Sequence, residues 1–290
     1  MKNVLVAGAT GYAGYHVVGE LKKRNYRVRA LIRNEKQKEK FKDIDIDEFF
    51  IAQVAELETL QGIMNDIDWV FSSIGITRQK DGLTYDDVDY RGNLNLLKEA
   101  EQNNVELFAY ISVFGADKFP ELKIIQAKKK FVYALKNSSM KCSIIRPTGF
   151  FSDMRDFLNM ATSKKIFLFG DGEYMISPIS GKDLANVCID SMEKGIEEIN
   201  VGGPKVYSQN QIARIALNAF GLKGKIYHLP LWVRDTVLFL IRTFTTQKIY
   251  GPYEFFLTAM TTNAATDRYG SDLLEDFFET EARKILSNKD

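Results

Sequence analysis

The sequence is poor in the residues that would tie it to several large classes of protein. It has only two cysteines and two histidines in 290 residues. Cys142 and Cys188 lie far apart, with no histidine at ligand spacing, which argues against a disulfide-stapled scaffold or a zinc module and fits a reducing, cytoplasmic setting. His16 and His228 are isolated from any metal-ligand pattern, so structural roles are expected and no metal site is. Charge of one sign is also missing: the net charge is +1, and the one basic cluster, Lys128, Lys129 and Lys130, is too short to bind nucleic acid. The apolar run at the amino terminus breaks into glycines after a handful of residues, so no export signal is expected. The later stretch Leu229 to Phe244 carries Arg234, Asp235 and Arg242, and falls short of the uninterrupted ~20 apolar residues that a membrane span needs. Internal repeats and low-complexity linkers are absent as well.

What remains is an ordinary globular composition, 45% hydrophobic and 27% charged, enough for one sizeable core or a core plus a smaller lobe. Its most informative stretch is Val4-Leu5-Val6-Ala7-Gly8-Ala9-Thr10-Gly11-Tyr12-Ala13-Gly14. An apolar run of strand length ends at Gly8, and Val17, Val18 and Leu21 then recur at helical spacing, so the glycines occupy a strand-to-helix turn. In such a turn Gly8 permits the tight exit, Gly11 lets a pyrophosphate approach bare backbone, and Gly14 lets the helix lie close to the sheet. Phosphates would then meet amide groups at the positive end of a helix dipole. Gly8, Thr10, Gly11, Tyr12 and Gly14 are the expected pyrophosphate residues of a dinucleotide site. The G-x-x-G-x-x-G spacing departs from the commoner G-x-G-x-x-G.

Downstream, Tyr26 to Arg33 alternates as a second strand. A protein preferring NAD places a carboxylate at that strand's end, against the ribose hydroxyls. Here the positions hold Ile32, Arg33 and Asn34, and a guanidinium suits a 2′-phosphate. NADP(H) is the expected cofactor, with NAD the other candidate because Glu35 is close by. Glu35 to Lys42 reads as a charged helix, Asp47 to Val54 as a strand, Leu57 to Asn65 as a helix, and Asp68 to Gly75 as a strand ending in small residues. Ser73 and Ile74 at that end are expected on the adenine-ribose side. A long helix over Tyr85 to Asn103, a strand over Glu106 to Val113, a helix over Leu122 to Lys136 and a strand over Lys141 to Ile145 follow. The alternation predicts an α/β doubly wound parallel sheet, a Rossmann fold, over residues 1–150. Residues 151–290 lose this rhythm and read as a smaller substrate lobe interleaved with the last strands of the sheet. Within it, Ser208 is expected to cap a helix running to Phe220. The apolar stretch over 231–244 fits core packing, the wall of a pocket for a greasy substrate, or docking at a membrane surface or subunit.

Laid in order, the glycine turn, Tyr110-Ile111-Ser112-Val113, Lys128 and Arg146-Pro147-Thr148-Gly149 resemble the extended short-chain dehydrogenase/reductase superfamily. The stretches Asp89-Tyr90-Arg91-Gly92-Asn93, Phe169-Gly170-Asp171-Gly172, Pro178-Ile179-Ser180 and Tyr269 to Phe278 resemble its atypical branch, which includes divinyl chlorophyllide 8-vinyl reductases and other NAD(P)H-binding proteins. The resemblance implies that Ser112 faces the substrate, that Lys128 binds the nicotinamide ribose, and that Pro147, Thr148 and Phe150 flank the ring. It also implies a catalytic tyrosine four residues before Lys128, where this chain has Ile124, and an adenine-contacting aspartate where it has Val54. An isoleucine cannot transfer a proton. Three readings stay open: another donor such as Tyr85, Tyr90, Tyr133 or water; hydride transfer to an activated carbon–carbon double bond with protonation from solvent; or cofactor binding without catalysis. The expected function is thus an NADP(H)-dependent oxidoreductase acting on a small apolar or aromatic molecule. A non-catalytic redox sensor or assembly protein is the alternative, and a nucleotide-sugar epimerase or dehydratase a weaker one.

Overall fold

The computed structural model of the chain describes residues 1–76 and 82–287. Strands β1 (Asn3–Ala7), β2 (Arg27–Ile32), β3 (Glu48–Ile51), β4 (Trp69–Ser72), β5 (Leu107–Ile111), β6 (Lys141–Pro147) and β7 (Glu198–Val201) form one seven-stranded sheet in the order β3-β2-β1-β4-β5-β6-β7. Every neighbouring pair from β3 to β6 is parallel. The helices are α1 (Tyr12–Lys23), α2 (Asn93–Gln102), α3 (Lys123–Lys136), α4 (Arg155–Thr162), α5 (Gly181–Lys194), α6 (Gln209–Ala219), α7 (Leu231–Phe244), α8 (Gln247–Ala259) and α9 (Leu274–Ser287). This is the doubly wound Rossmann architecture that the sequence predicts. Strands β4 and β5 are buried along their whole length, as expected of strands covered on both faces, and their runs of Val, Phe, Leu and Ile supply that burial. Strand order reverses between β1 and β4, whose ends pair Ala7 with Ser72, and such a reversal opens a crevice beyond the carboxyl ends of the strands.

The chain divides into two compact units, Met1–Arg146 with Leu184–Asn200, and Pro147–Asp183 with the residues from Val201 onward. In the first unit Arg24, at the end of α1, donates to Asp190 at 2.7 Å and to Glu193 at 3.1 Å, which fastens the later part of α5 to the sheet's first helix. Several expected helices take other forms. Leu57 to Asn65 is not a helix: a short 3-10 turn ends at Leu60, because Gly62 (φ +79°) adopts left-handed backbone. Glu35 to Phe41 is a 3-10 helix. The Tyr85 to Asn103 segment is helical, but Asp86 to Gly92 forms a wide π-helical turn before α2 begins.

The second unit packs Phe151, Phe157, Leu168, Tyr207, Ile212 and Phe278 into its own core. Its strands Lys165–Phe169 and Lys225–Leu229 pair in parallel, and Met175–Ile176 pairs with Tyr207–Ser208 in antiparallel fashion. Core packing does not account for α7. Leu238 is its one buried residue, and Trp232, Phe239 and Phe244 are 67%, 66% and 78% exposed. No helix among the described residues is long and apolar enough to cross a membrane.

Ser208 caps α6 as expected, and more fully than its position alone predicts. Its hydroxyl accepts from the Gln211 amide at 3.3 Å while the Gln211 side chain accepts from the Ser208 amide at 2.8 Å, a reciprocal capping box. Ser208→Ala is expected to lower the unfolding free energy by about 1 kcal/mol in chemical denaturation. An unshifted midpoint would show that the box carries no stability.

Candidate functional site

The glycine turn sits at the end of β1, in the first unit. Gly8 has φ +79°, a conformation that other residues rarely adopt, and its carbonyl accepts from the Gly11 amide at 2.9 Å. A β-carbon on Gly14 would lie 2.2 Å from that carbonyl oxygen, and one on Gly8 would lie 2.8 Å from Ser73 Oγ. Bare backbone is therefore required at both positions. Gly11 forms the N-cap of α1, no side chain caps the helix, and its first turn holds no acidic residue. Gly11 is exposed, and Thr10 and Tyr12 are half-buried. The start of α1 thus offers main-chain amides and a positive dipole end to an anion, and the Lys40 ammonium, 3.1 Å from the Thr10 carbonyl, adds charge beside them. The cradle fits a dinucleotide pyrophosphate.

Neighbouring residues extend this edge. The Ser73 amide donates to Ala7 O at 3.0 Å, which sets the end of β4 against the turn. Ile74 is buried with its side chain in the core beside Ala7, so what it can offer a ligand is its main chain. Arg33 is exposed just past β2, and the Glu35 carboxylate pairs with Lys38 at 2.7 Å. Val54 is a core residue packed against Gly92, and its carbonyl accepts from the Asn95 side chain at 2.9 Å.

Lys128, on α3, is not part of the solvated basic run. Lys129 and Lys130 pair outward with Asp117 and Asp86, whereas the Lys128 ammonium turns inward to Asp89 Oδ1 at 3.1 Å and the Tyr110 hydroxyl at 3.4 Å. Asp89 is fully buried, and its other oxygen accepts from the Ile76 amide at 3.0 Å. Each carboxylate oxygen therefore faces a cationic or donating group. Burial pushes the Asp89 carboxyl above its ordinary value, against the opposing pull of Lys128 and the Ile76 amide. Burial alone would lower the Lys128 ammonium, but Tyr110 and Asp89 outweigh it and carry the lysine above its usual range. Burial pushes the Tyr110 phenol up to about 12.

Ser112 is buried just beyond β5, with its amide donating to Ile145 O at 2.8 Å. Ile124 is buried one helical turn before Lys128, where a phenol would have to stand. Of the alternative donors, Tyr85 is buried, Tyr90 is half-buried beneath the Lys130 ammonium, 5.5 Å from its ring centre, and Tyr133 is 72% exposed. Pro147, Thr148 and Phe150 belong to the second unit. There Thr148 Oγ1 donates to Ser177 O at 2.6 Å, and the Phe150 amide donates to Asp153 Oδ2 at 2.9 Å. That unit also contains a pocket of about 350 Å³ lined mainly by Phe157, Met160, Phe167, Phe169, Phe256 and Met260.

Asp89 and Tyr110 are the polar residues that sequence reasoning did not single out for a role. A signal for Asp89 is present: Tyr85, Asp89, Asn93 and Leu96 follow helical spacing and are all buried, so two polar residues stand on a core-facing stripe. Asn93 fills its place by accepting from Ser72 Oγ at 2.5 Å and donating to Asp89 O at 3.0 Å.

A glycine cradle at the carboxyl edge of a doubly wound sheet, with a half-buried lysine beyond it, defines a Rossmann-type nicotinamide-dinucleotide protein. A family model described as NAD(P)H-binding matches residues 8–194, and the chain belongs to that family. It is 27% identical over 316 residues, 96% of this chain and 75% of the relative, to a chloroplastic divinyl chlorophyllide a 8-vinyl-reductase of Cucumis sativus. It is 23% identical over 239 residues, 81% of this chain and 74% of the relative, to the photosystem II assembly factor Ycf39 of Trieres chinensis. Among solved structures, an NADPH-dependent quinone oxidoreductase of Escherichia coli complexed with NADPH superposes with TM-score 0.73 at 14% identity, covering 98% of this chain and 99% of that one. A UDP-glucose 4-epimerase of Thermotoga maritima with UDP-glucose gives 0.71 at 16% identity, covering 99% and 100%. These superpositions show the fold of short-chain dehydrogenases/reductases.

Gly14→Ala forces α1 away from the Gly8 carbonyl. It is expected to cost about 1–3 kcal/mol of stability and to abolish dinucleotide binding in calorimetry. A variant that bound as tightly as the wild type would show that the close crossing is dispensable.

Proposed function

We propose that the chain is an NADP(H)-dependent reductase of the atypical short-chain kind, acting on a small apolar or aromatic molecule whose carbon–carbon double bond is activated toward hydride. The observation that carries this reading is a complete dinucleotide cradle and an inward-turned Lys128 beside a buried Ile124. Bound NADP(H) would supply the hydride. The main-chain amides of the first turn of α1 bind the diphosphate over the bare backbone of Gly11, and Ser112 stands at the substrate end of β5. Addition to a carbonyl needs an acid at the developing alkoxide, which Ile124 cannot provide. Addition to an activated double bond leaves a carbanion that solvent can protonate, so no phenol is required. Arg33 favours the phosphorylated cofactor, because a guanidinium suits a 2′-phosphate and the end of β2 carries Arg33 and Asn34 in place of a carboxylate. The aromatic pocket of the second unit supports an apolar ligand, and the exposed apolar residues of α7 support peripheral membrane contact. A cytoplasmic location belongs to the same reading.

The relatives named as a reductase support turnover, and those named as an assembly factor, together with Ile124, support a second reading: NADP(H) binding without catalysis. Calorimetry with NADPH, followed by spectrophotometry of NADPH oxidation against enones, quinones and aldehydes, separates them. Oxidation by enones or quinones but not by simple aldehydes is the expected result, and tight binding with no oxidation across the panel would favour the second. Arg33→Ala is expected to weaken NADPH by about tenfold or more, the worth of a charge-assisted contact, and to leave NADH unchanged. Equal loss for both cofactors would remove the assignment of Arg33 to the 2′-phosphate.

A further inference from the structure

The Lys128 ammonium is held by a buried carboxylate, and that carboxylate is tied to the same strand end that flanks the glycine turn. Ile76 donates to Asp89 Oδ2, and a β-carbon on Gly75 would lie 2.7 Å from Asp89 Oδ1 and 2.9 Å from Lys128 Nζ. Backbone without a side chain thus passes directly over the pair. Two residues earlier, Ser73 rests against Gly8. The lysine is held at the edge of the sheet that carries the dinucleotide cradle. Among the described residues, the other charges of this region are turned away: Lys129 pairs with Asp117, Lys130 and Arg91 pair with Asp86, and all three cations are exposed. From β5 the facing titratable group is Tyr110, from the π-helical turn it is Asp89, and Gly75 and Ile76 bring none. The phenols of Tyr85 and Tyr90 flank the turn, the first buried and the second under Lys130.

We propose that Asp89 is the positioning residue of this site: it fixes the Lys128 ammonium as a permanent cation for the ribose and phosphate groups of the dinucleotide and withholds that proton from chemistry. The inference rests on the dinucleotide-binding reading above. An amine buried in this place without its counter-ion loses its proton readily, because desolvation penalises the charged form. With the carboxylate present the charge survives to alkaline pH, and Lys128 serves binding rather than acid catalysis.

Calorimetric titration of NADPH across pH, for wild type and Asp89→Asn, tests this. Wild-type affinity is expected to stay flat from about pH 7 to about pH 9.5, while Asp89→Asn loses about tenfold over that span as Lys128 deprotonates. Asp89→Asn with a profile as flat as wild type overturns the inference and leaves the binding reading intact. Wild type that binds neither NADPH nor NADH overturns both. Should Asp89→Asn not fold, carbon NMR of lysine-labelled wild type decides the same question: the Lys128 signal must not titrate at or below the ordinary lysine value of about 10.4. Tyr110→Phe, which keeps the ring and removes only the acceptor, is expected to move the Lys128 titration down while leaving NADPH affinity near pH 7 within about twofold.

Discussion

The carbonyl oxygen of Gly8 stands 2.2 Å from where a β-carbon on Gly14 would be, and the position of everything at this edge of the sheet follows from that contact. Helix α1 can lie this close to β1 only with no side chain between them. The same closeness aims its uncapped amides off the end of the sheet, and lets Ser73, at the end of β4, pack against the turn. Since β1 and β4 flank the point where strand order reverses, the crevice and the anion-binding backbone coincide. The site is a property of how one helix meets one strand, and the side chains around it are added to that.

One such addition is the buried pair of Asp89 and Lys128. Moving both charges out of water is costly, and a buried pair breaks even only when its remaining hydrogen-bonding capacity is met. Here it is met in part, by the Ile76 amide on one oxygen and the Tyr110 hydroxyl on the ammonium, while the other oxygen has the ion pair with Lys128 alone. A well-packed apolar pair would give the core as much stability, so the pair makes most sense as a way to hold a charge where a ligand can use it.

The sequence made the order of strands and helices legible because β1, β4 and β5 are continuous apolar runs and the intervening segments have room for a crossover. The glycine turn was legible for a similar reason: Gly8 and Gly14 carry a backbone requirement that other residues cannot meet. Where local spacing and tertiary placement part, the reading ended. Leu57 to Asn65 has helical spacing, yet Gly62 turns left-handed and ends it early. The apolar residues of α7 left core packing, a pocket wall and surface docking open, because burial depends on what lies opposite, and Leu238 is the one residue of α7 that is buried. Lys128 could be placed by its distance from Ser112. Its partner could not, because Asp89 lies 39 residues earlier in the chain and meets it only through the π-helical turn.

Asp89 and Ile124 are better understood together than apart. A lysine that must draw a proton from a neighbouring phenol has to present its positive field to that phenol, and a carboxylate 3.1 Å from the ammonium would cancel most of it. A chain with a tyrosine at position 124 would have reason to keep such a carboxylate away. With isoleucine there, no phenol stands one helical turn before the lysine, the phenol that does touch it, Tyr110, is buried and pushed up to about 12, and the carboxylate fixes the cation in place. In the reading proposed above, the buried aspartate and the isoleucine at position 124 go together: both suit a lysine that holds a ligand rather than one that tunes a proton donor.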